Sequence, residues 1–143
     1  MSGRIAAIPV DVFLDALASD APTPGGGAVA ALAGASGAAL ISMVCNLTIG
    51  RTGYEEAEER MRGVLDEAES SRTVLLDLAD RDAAAFGSVM AAFKMPKETD
   101  AERAVRSQAI QEGYSAAAEV PLDIARRAAE LMELAREVTE IGN

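Results

Sequence analysis

The chain has 143 residues, a formal net charge of −10, no histidine and one cysteine, Cys45. Half of the residues are hydrophobic but only 3% are aromatic, so the apolar bulk is small and aliphatic, which suits close-packed helices better than a β-sandwich. The charge argues against a nucleic-acid surface, and a lone cysteine permits no internal disulfide. The absence of histidine removes Ser-His-Asp and Cys-His chemistry and the common zinc sets, leaving Asp, Glu, Lys, Tyr or Cys45 for acid–base work.

The length predicts one domain over residues 1–143, without a linker or an internal repeat. No secretory signal is readable in "MSGRIAAIPVDVFLDALASD", where Asp11, Asp15 and Asp20 interrupt the apolar stretch. The first predicted helix is short, about Val10–Ser19, with Val10, Phe13, Leu14 and Leu17 on one face. The second lies between Pro24 and Gly50. The third runs from about Tyr54 to Phe93 and stops before Pro96. The fourth opens at "TDAE", where Thr99 and Glu102 have capping-box spacing, and continues to Val120. The fifth starts at Pro121, a first-turn residue, and ends at a Gly142 C-cap. No strand-like alternation persists, so the predicted class is all-α: a helix bundle with long central helices.

The second segment, "PTPGGGAVAALAGASGAALISMVCNLTIGR", holds no charge from Ala21 to Gly50. It is long enough for a membrane span, but Ser36, Ser42, Asn46 and Thr48 interrupt it and its flanks are charged and amphipathic, which favours a soluble chain. A buried helix explains more: Gly34, Ser36, Gly37 and Ala38 let a neighbouring backbone approach closely. A helix apolar all round needs cover on every side, more than one chain of this size supplies, which predicts a homodimer. Gly25, Gly26 and Gly27 before the helix lack the Gly-Lys-Ser/Thr ending of a nucleotide loop. They fit either a seat for an anion or carboxylate, or a turn whose glycines serve backbone geometry alone.

The third segment can be written in heptads. Its seam holds Tyr54, Ala57, Met61, Val64, Ala68, Ser71, Leu75, Leu78, Asp82, Ala85, Val89 and Ala92. All but Ser71 and Asp82 are apolar or tyrosine, the pattern of a packed stripe. Asp82 is the single charge on it, while Asp77 and Asp80 fall off the seam, Asp80 on the outer face. A carboxylate turned toward a core costs several kcal/mol unless it is paired or protonated. That setting suits a proton-transferring group, and it equally suits a structural aspartate that caps or bridges to another helix. Lys94 and Lys97 close the segment, and Arg51 follows the uncharged run. Each is either a cation for a ligand's carboxylates or an ordinary solvated charge.

The motifs "PTPGGGAVAALAGASGAALISMVCNLTIGR", "DRDAAAF", "KMPKETDAE", "QEG", "VPL" and "EIGN", in that order, resemble the formiminotransferase-cyclodeaminase C-terminal family over nearly the whole chain. That family holds the cyclodeaminase domain of a bifunctional folate enzyme and stand-alone methenyltetrahydrofolate cyclohydrolases. "SMVCNLTIG" resembles the latter in particular. The resemblance implies an all-helical, dimeric, cytoplasmic enzyme that acts on a tetrahydrofolate derivative, with no cofactor beyond that substrate and no nucleic-acid or membrane partner. It maps the family's essential aspartate onto Asp82, in "DAAAF", and the groove turn onto Pro24, Gly25, Gly26 and Gly27. Ser42, Asn46, Arg51 and Lys97 are added as substrate-binding candidates. The expected reaction is hydrolysis of 5,10-methenyltetrahydrofolate to 10-formyltetrahydrofolate. Cyclodeamination of 5-formiminotetrahydrofolate and a catalytically silent helical dimer module are the alternatives. Family members continue past the counterpart of Gly142–Asn143 with further apolar helices, so the resemblance also implies a C-terminally shortened domain.

Overall fold

The computed structural model describes residues 4–143 and is built from four α-helices. These are α1 (Val10–Leu17), α2 (Gly26–Thr48), α3 (Glu58–Phe93) and α4 (Asp100–Ile141), with single 3₁₀ turns at Ile5–Ala7 and Glu55–Ala57. Among the described residues there is no strand. The all-α class holds.

The long helices form an up-down-up bundle whose register is set by close side-chain contacts. Ser42 faces Glu69, Gly34 faces Leu75 and Gly27 faces Asp82, so α2 and α3 run antiparallel. Arg60 pairs with Glu137 through two bonds of 2.5 and 2.6 Å, and Val89 packs on Gly113, so α3 and α4 run antiparallel. The seam of α3 is the axis of the core: Met61, Val64, Ala68, Leu75 and Leu78 are buried against Ala31, Ala35, Ala38 and Ile41 of α2 and Ile124, Leu131, Leu134 and Val138 of α4. A Cβ on Gly34 would stand 3.1 Å from Leu75 Cδ1, so this small residue does permit a close helix approach.

One sequence expectation is corrected in the last segment. The fourth and fifth helices are one, α4, which passes through Pro121. Proline removes a single backbone donor, and the buried stripe Ile110, Val120, Ile124, Leu131, Leu134 and Val138 continues across it. Packing outweighs the local penalty. Gly142 is the C-cap of α4, as expected, with an extended backbone (φ −89°). Its role is steric: a Cβ there would lie 2.5 Å from the Val138 carbonyl oxygen and 2.8 Å from Val44 Cγ1. The Thr99–Glu102 capping box is present, with both reciprocal bonds formed. Thr99→Ala is therefore expected to cost about 1 kcal/mol and to lower the melting midpoint by about 3 °C, read by circular dichroism. An unchanged midpoint would show that the cap adds nothing to this helix.

On the predicted face of α1 Phe13 is buried and Leu17 half-buried, while Val10 and Leu14 are exposed. Asp80 is not on an outer face. It accepts the Ile5 backbone N–H at 2.6 Å and pairs with Arg4, which ties the N-terminal turn to α3. Helix α2 is long and apolar enough to cross a membrane by length and composition, yet it serves here as a packed wall. It is buried on one side only: Val29, Leu40, Met43 and Leu47 are exposed on the other.

Candidate active site

Because α2 begins opposite Asp82, the last three or so turns of α3 and the facing stretch of α4 continue beyond it as a two-helix arm. The turn before α2 closes the angle between arm and bundle. The cleft formed there has a volume of about 360 Å³ and is lined by Thr23, the Gly25–Gly27 turn, Asp82, Phe86, Val89, Phe93 and Tyr114, among others.

Asp82 is held by the start of α2. This helix has no side-chain cap of its own; its N-cap is Gly25. The Asp82 Oδ2 accepts the Ala28 backbone N–H at 3.1 Å, so a residue of α3 satisfies one of the orphan donors of α2. The positive end of the α2 dipole favours the carboxylate there. The Asp82 side chain is half-buried, and among the described residues Oδ1 receives no hydrogen bond. One oxygen anchors the group, and the other lies against Gly27, 2.1 Å from where a Cβ there would stand. Capping and catalysis, set against each other in the sequence, are compatible in one side chain.

The glycines of the turn are not needed for a left-handed backbone. Among the described residues only Gly50 and Gly53 have positive φ, and Gly25 has φ −119°. Gly27 is required by proximity: a Cβ on it would stand 2.1 Å from Asp82 Oδ1 and 2.4 Å from its Cγ. Gly26 faces open space, with nothing within 4 Å of a built Cβ. Pro24 is buried beside the turn and lines a neighbouring pocket with Arg4, Ile5 and Asp80.

The other expected residues lie elsewhere. Ser42 is about 24 Å along α2 from the turn, where its buried hydroxyl donates to Glu69 Oε1 at 2.7 Å. Arg72, and after it Ser42, hold the Glu69 carboxyl below its usual range. Asn46 and Arg51 are exposed beyond that point. Within one chain these three are too far to touch a group reacting at Asp82. Lys97 is exposed in the connection at the tip of the arm, on the far side of Phe93 from Asp82. Cys45 is fully buried and burial pushes its thiol up, which removes it as a nucleophile.

The aromatic lining of the cleft was not foreseen. Phe86, Phe93 and Tyr114 are three of the five aromatic residues in a chain of three phenylalanines, two tyrosines and no tryptophan. All three are at least partly exposed. Their scarcity elsewhere, with Phe86 and Phe93 one heptad apart just downstream of Asp82, was the available signal.

The sequence profile described as formiminotransferase-cyclodeaminase matches residues 9–143. The chain is 49% identical over 134 residues to a methenyltetrahydrofolate cyclohydrolase of Methylorubrum extorquens, across 94% of this chain and 64% of that protein. It is 37% identical over 131 residues to the formimidoyltransferase-cyclodeaminase of Rattus norvegicus, across 92% of this chain and 24% of that one. The crystal structure of a formiminotetrahydrofolate cyclodeaminase from Thermotoga maritima superposes with a TM-score of 0.83 at 35% identity, over 97% of this chain and 65% of that chain. The chain thus spans just under two thirds of the length of the cyclohydrolase and of the cyclodeaminase of known structure. With a match from near its first helix to its last residue, the chain belongs to the formiminotransferase-cyclodeaminase family.

Proposed function

We propose that this protein hydrolyses 5,10-methenyltetrahydrofolate to 10-formyltetrahydrofolate, with Asp82 as the proton-transferring group. The observation that carries the reading is the placement of Asp82: Oδ2 is fixed by the start of α2, and the carboxylate lines a cleft of small-molecule size. The substrate carries an amidinium cation whose central carbon is the electrophile. A fixed carboxylate beside that carbon stabilises the cation and orients a water molecule. As the water oxygen bonds to the carbon, its proton passes to Asp82 and a carbinolamine forms. The bond from that carbon to the ring nitrogen then breaks, the nitrogen takes the proton back from Asp82, and the hydroxyl releases its own proton to solvent as it becomes the formyl carbonyl. This route uses no cofactor beyond the folate itself. Lys94 and Lys97, at the tip of the arm, supply cations for the substrate's glutamate carboxylates.

The 49% identity to a cyclohydrolase supports this substrate. A second reading, closure of 5-formiminotetrahydrofolate with release of ammonia, draws on the likeness to the Thermotoga maritima cyclodeaminase. Both reactions pass through the same cationic carbon. The test is decay of methenyltetrahydrofolate absorbance in the near ultraviolet, against spontaneous hydrolysis. Decay above background supports the hydrolase. Background decay with ammonia release from the formimino substrate would replace it by the cyclodeaminase, and turnover of neither would leave a silent module.

The proposed enzyme is a cytoplasmic homodimer. The exposed face of α2 is uncharged, with Leu40, Met43 and Leu47 outward. Beside it runs an apolar groove shared with α4 and lined by Gly37, Leu40, Val44, Leu131, Met132 and Ala135. A second copy covers this surface in the proposed assembly, because a contiguous apolar face of this kind is costly in water. Sedimentation is expected to give a two-chain species that Leu40→Glu converts to monomer. A monomeric parent protein would refute the assembly.

A further inference from the structure

We propose that the aromatic wall of the arm stacks the aminobenzoyl ring of the folate, with Tyr114 as its outer face, so that the substrate lies along the arm with its glutamate toward the tip. The inference rests on the proposed folate chemistry and adds an orientation to it.

The order of groups along the arm supplies the argument. Asp82 stands at the base of the arm. Phe86 follows one turn later, about 6 Å along the helix, and Phe93 lies about 16 Å along. Tyr114 meets Phe93 edge-on across the cleft, with ring centroids 6.1 Å apart and planes at 75°. Lys94 and Lys97 come after Phe93 at the tip. From the reacting end a folate reads bridging carbon, aminobenzoyl ring, glutamate carboxylates. The arm reads carboxylate, aromatic wall, cations, in the same sequence.

The wall is also built, not incidental. Arg106 lies 5.6 Å from the centroid of the Phe93 ring and donates to the Phe93 carbonyl from both Nε and Nη2. That contact from α4 fixes Phe93 in place. Gly113 brings α4 close to α3 at Val89: a Cβ there would stand 3.3 Å from Val89 Cγ2. Tyr114, the next residue, is thereby held against the cleft while about half of it stays exposed. A half-exposed aromatic in a small cleft gains stacking area when a flat ring enters.

The cleft volume supports placing one ring system there. About 360 Å³ is near the small end of the ~300–1,000 Å³ range of small-molecule sites. It accommodates part of a folate and requires the remainder to run out along the surface.

The composition of the chain supplies the test. With no tryptophan and only Tyr54 and Tyr114, Tyr54→Phe leaves Tyr114 as the sole strong emitter, and Tyr114→Phe leaves Tyr54. Tyr54 is at the opposite end of α3, beside Asn143. The probe is 5-formyltetrahydrofolate, followed by its two halves, p-aminobenzoylglutamate and a tetrahydropterin. The expected result is quenching of Tyr114 by the whole probe and by p-aminobenzoylglutamate, beyond the inner-filter loss recorded from Tyr54 in Tyr114→Phe. Tyr114→Leu is expected to raise KM for the methenyl substrate about tenfold, with kcat little changed and Tyr114→Phe close to the parent. Quenching by the tetrahydropterin alone would reverse the orientation and overturn the proposal, as would equal quenching of both tyrosines. Turnover with an unmoved KM in Tyr114→Leu would overturn the stacking and leave the folate chemistry standing. Absence of both turnover and quenching would overturn both.

Discussion

Asp82→Asn is expected to give a folded protein that has lost about 10²–10⁴-fold of its turnover, the range for removal of a general acid–base group. The replacement is informative because it separates the two tasks of this side chain. Asparagine keeps an oxygen that can accept the Ala28 N–H, now 3.1 Å from Asp82 Oδ2, so the cap on α2 persists. The loss of charge beside the helix N-terminus costs roughly 0.3–1 kcal/mol, too little to unfold a domain of ordinary stability. The group at the cleft loses both its charge and its basicity. Steady-state rates with methenyltetrahydrofolate, beside thermal melts of both proteins, read the two tasks separately. Asp82→Ala is expected to show the same rate loss with an added fall in stability of about 1–3 kcal/mol, since the Ala28 donor is then left without its partner. A melt that collapses in Asp82→Asn would mean that the carboxylate is structural first. A fully active Asp82→Asn would remove it from the mechanism.

What the sequence disclosed about this site follows from which contacts are local. The heptad seam of α3 is periodic along one helix, so Asp82 stood out as its only charge, and every seam position is buried or half-buried in the fold. The partner of Asp82 is 54 residues away, and no pattern within α3 points to Ala28. The same distance hid the reason for Gly27, which neighbours Asp82 only after α2 and α3 pack antiparallel. Pro121 misled for the opposite reason: its local rule is strong, but the buried residues on both sides of it belong to one continuous stripe, and tertiary packing decided the outcome. Asp80 resembled a solvated charge because its partners, Arg4 and the Ile5 N–H, lie in the N-terminal turn. The aromatic wall needed both helices of the arm at once, since Phe86 and Phe93 come from α3 and Tyr114 from α4.

Gly27→Ala should be the most damaging single-methyl change in the cleft. A Cβ at this position would sit 2.1 Å from Asp82 Oδ1, 2.4 Å from Cγ and 2.7 Å from Oδ2, well inside van der Waals contact with the whole carboxylate. The backbone at the start of α2 is pinned by packing of Ala28 and Ala31, both fully buried, so the more flexible Asp82 side chain has to move. It then leaves the Ala28 N–H and loses its position in the cleft. A displacement of about 1 Å at a reacting group costs on the order of 10²-fold in rate, and that loss in kcat is the expected result. Helix propensity works the other way, since alanine is favoured over glycine inside a helix by roughly 1 kcal/mol, so the melting midpoint should fall little. Gly26→Ala is the control: its built Cβ meets nothing within 4 Å, and it should keep nearly full activity with equal or better stability. If Gly26→Ala and Gly27→Ala behave alike, the turn acts through backbone flexibility and not through the space it leaves for Asp82. If only Gly27→Ala fails, the glycine is there because the carboxylate occupies the place of its side chain.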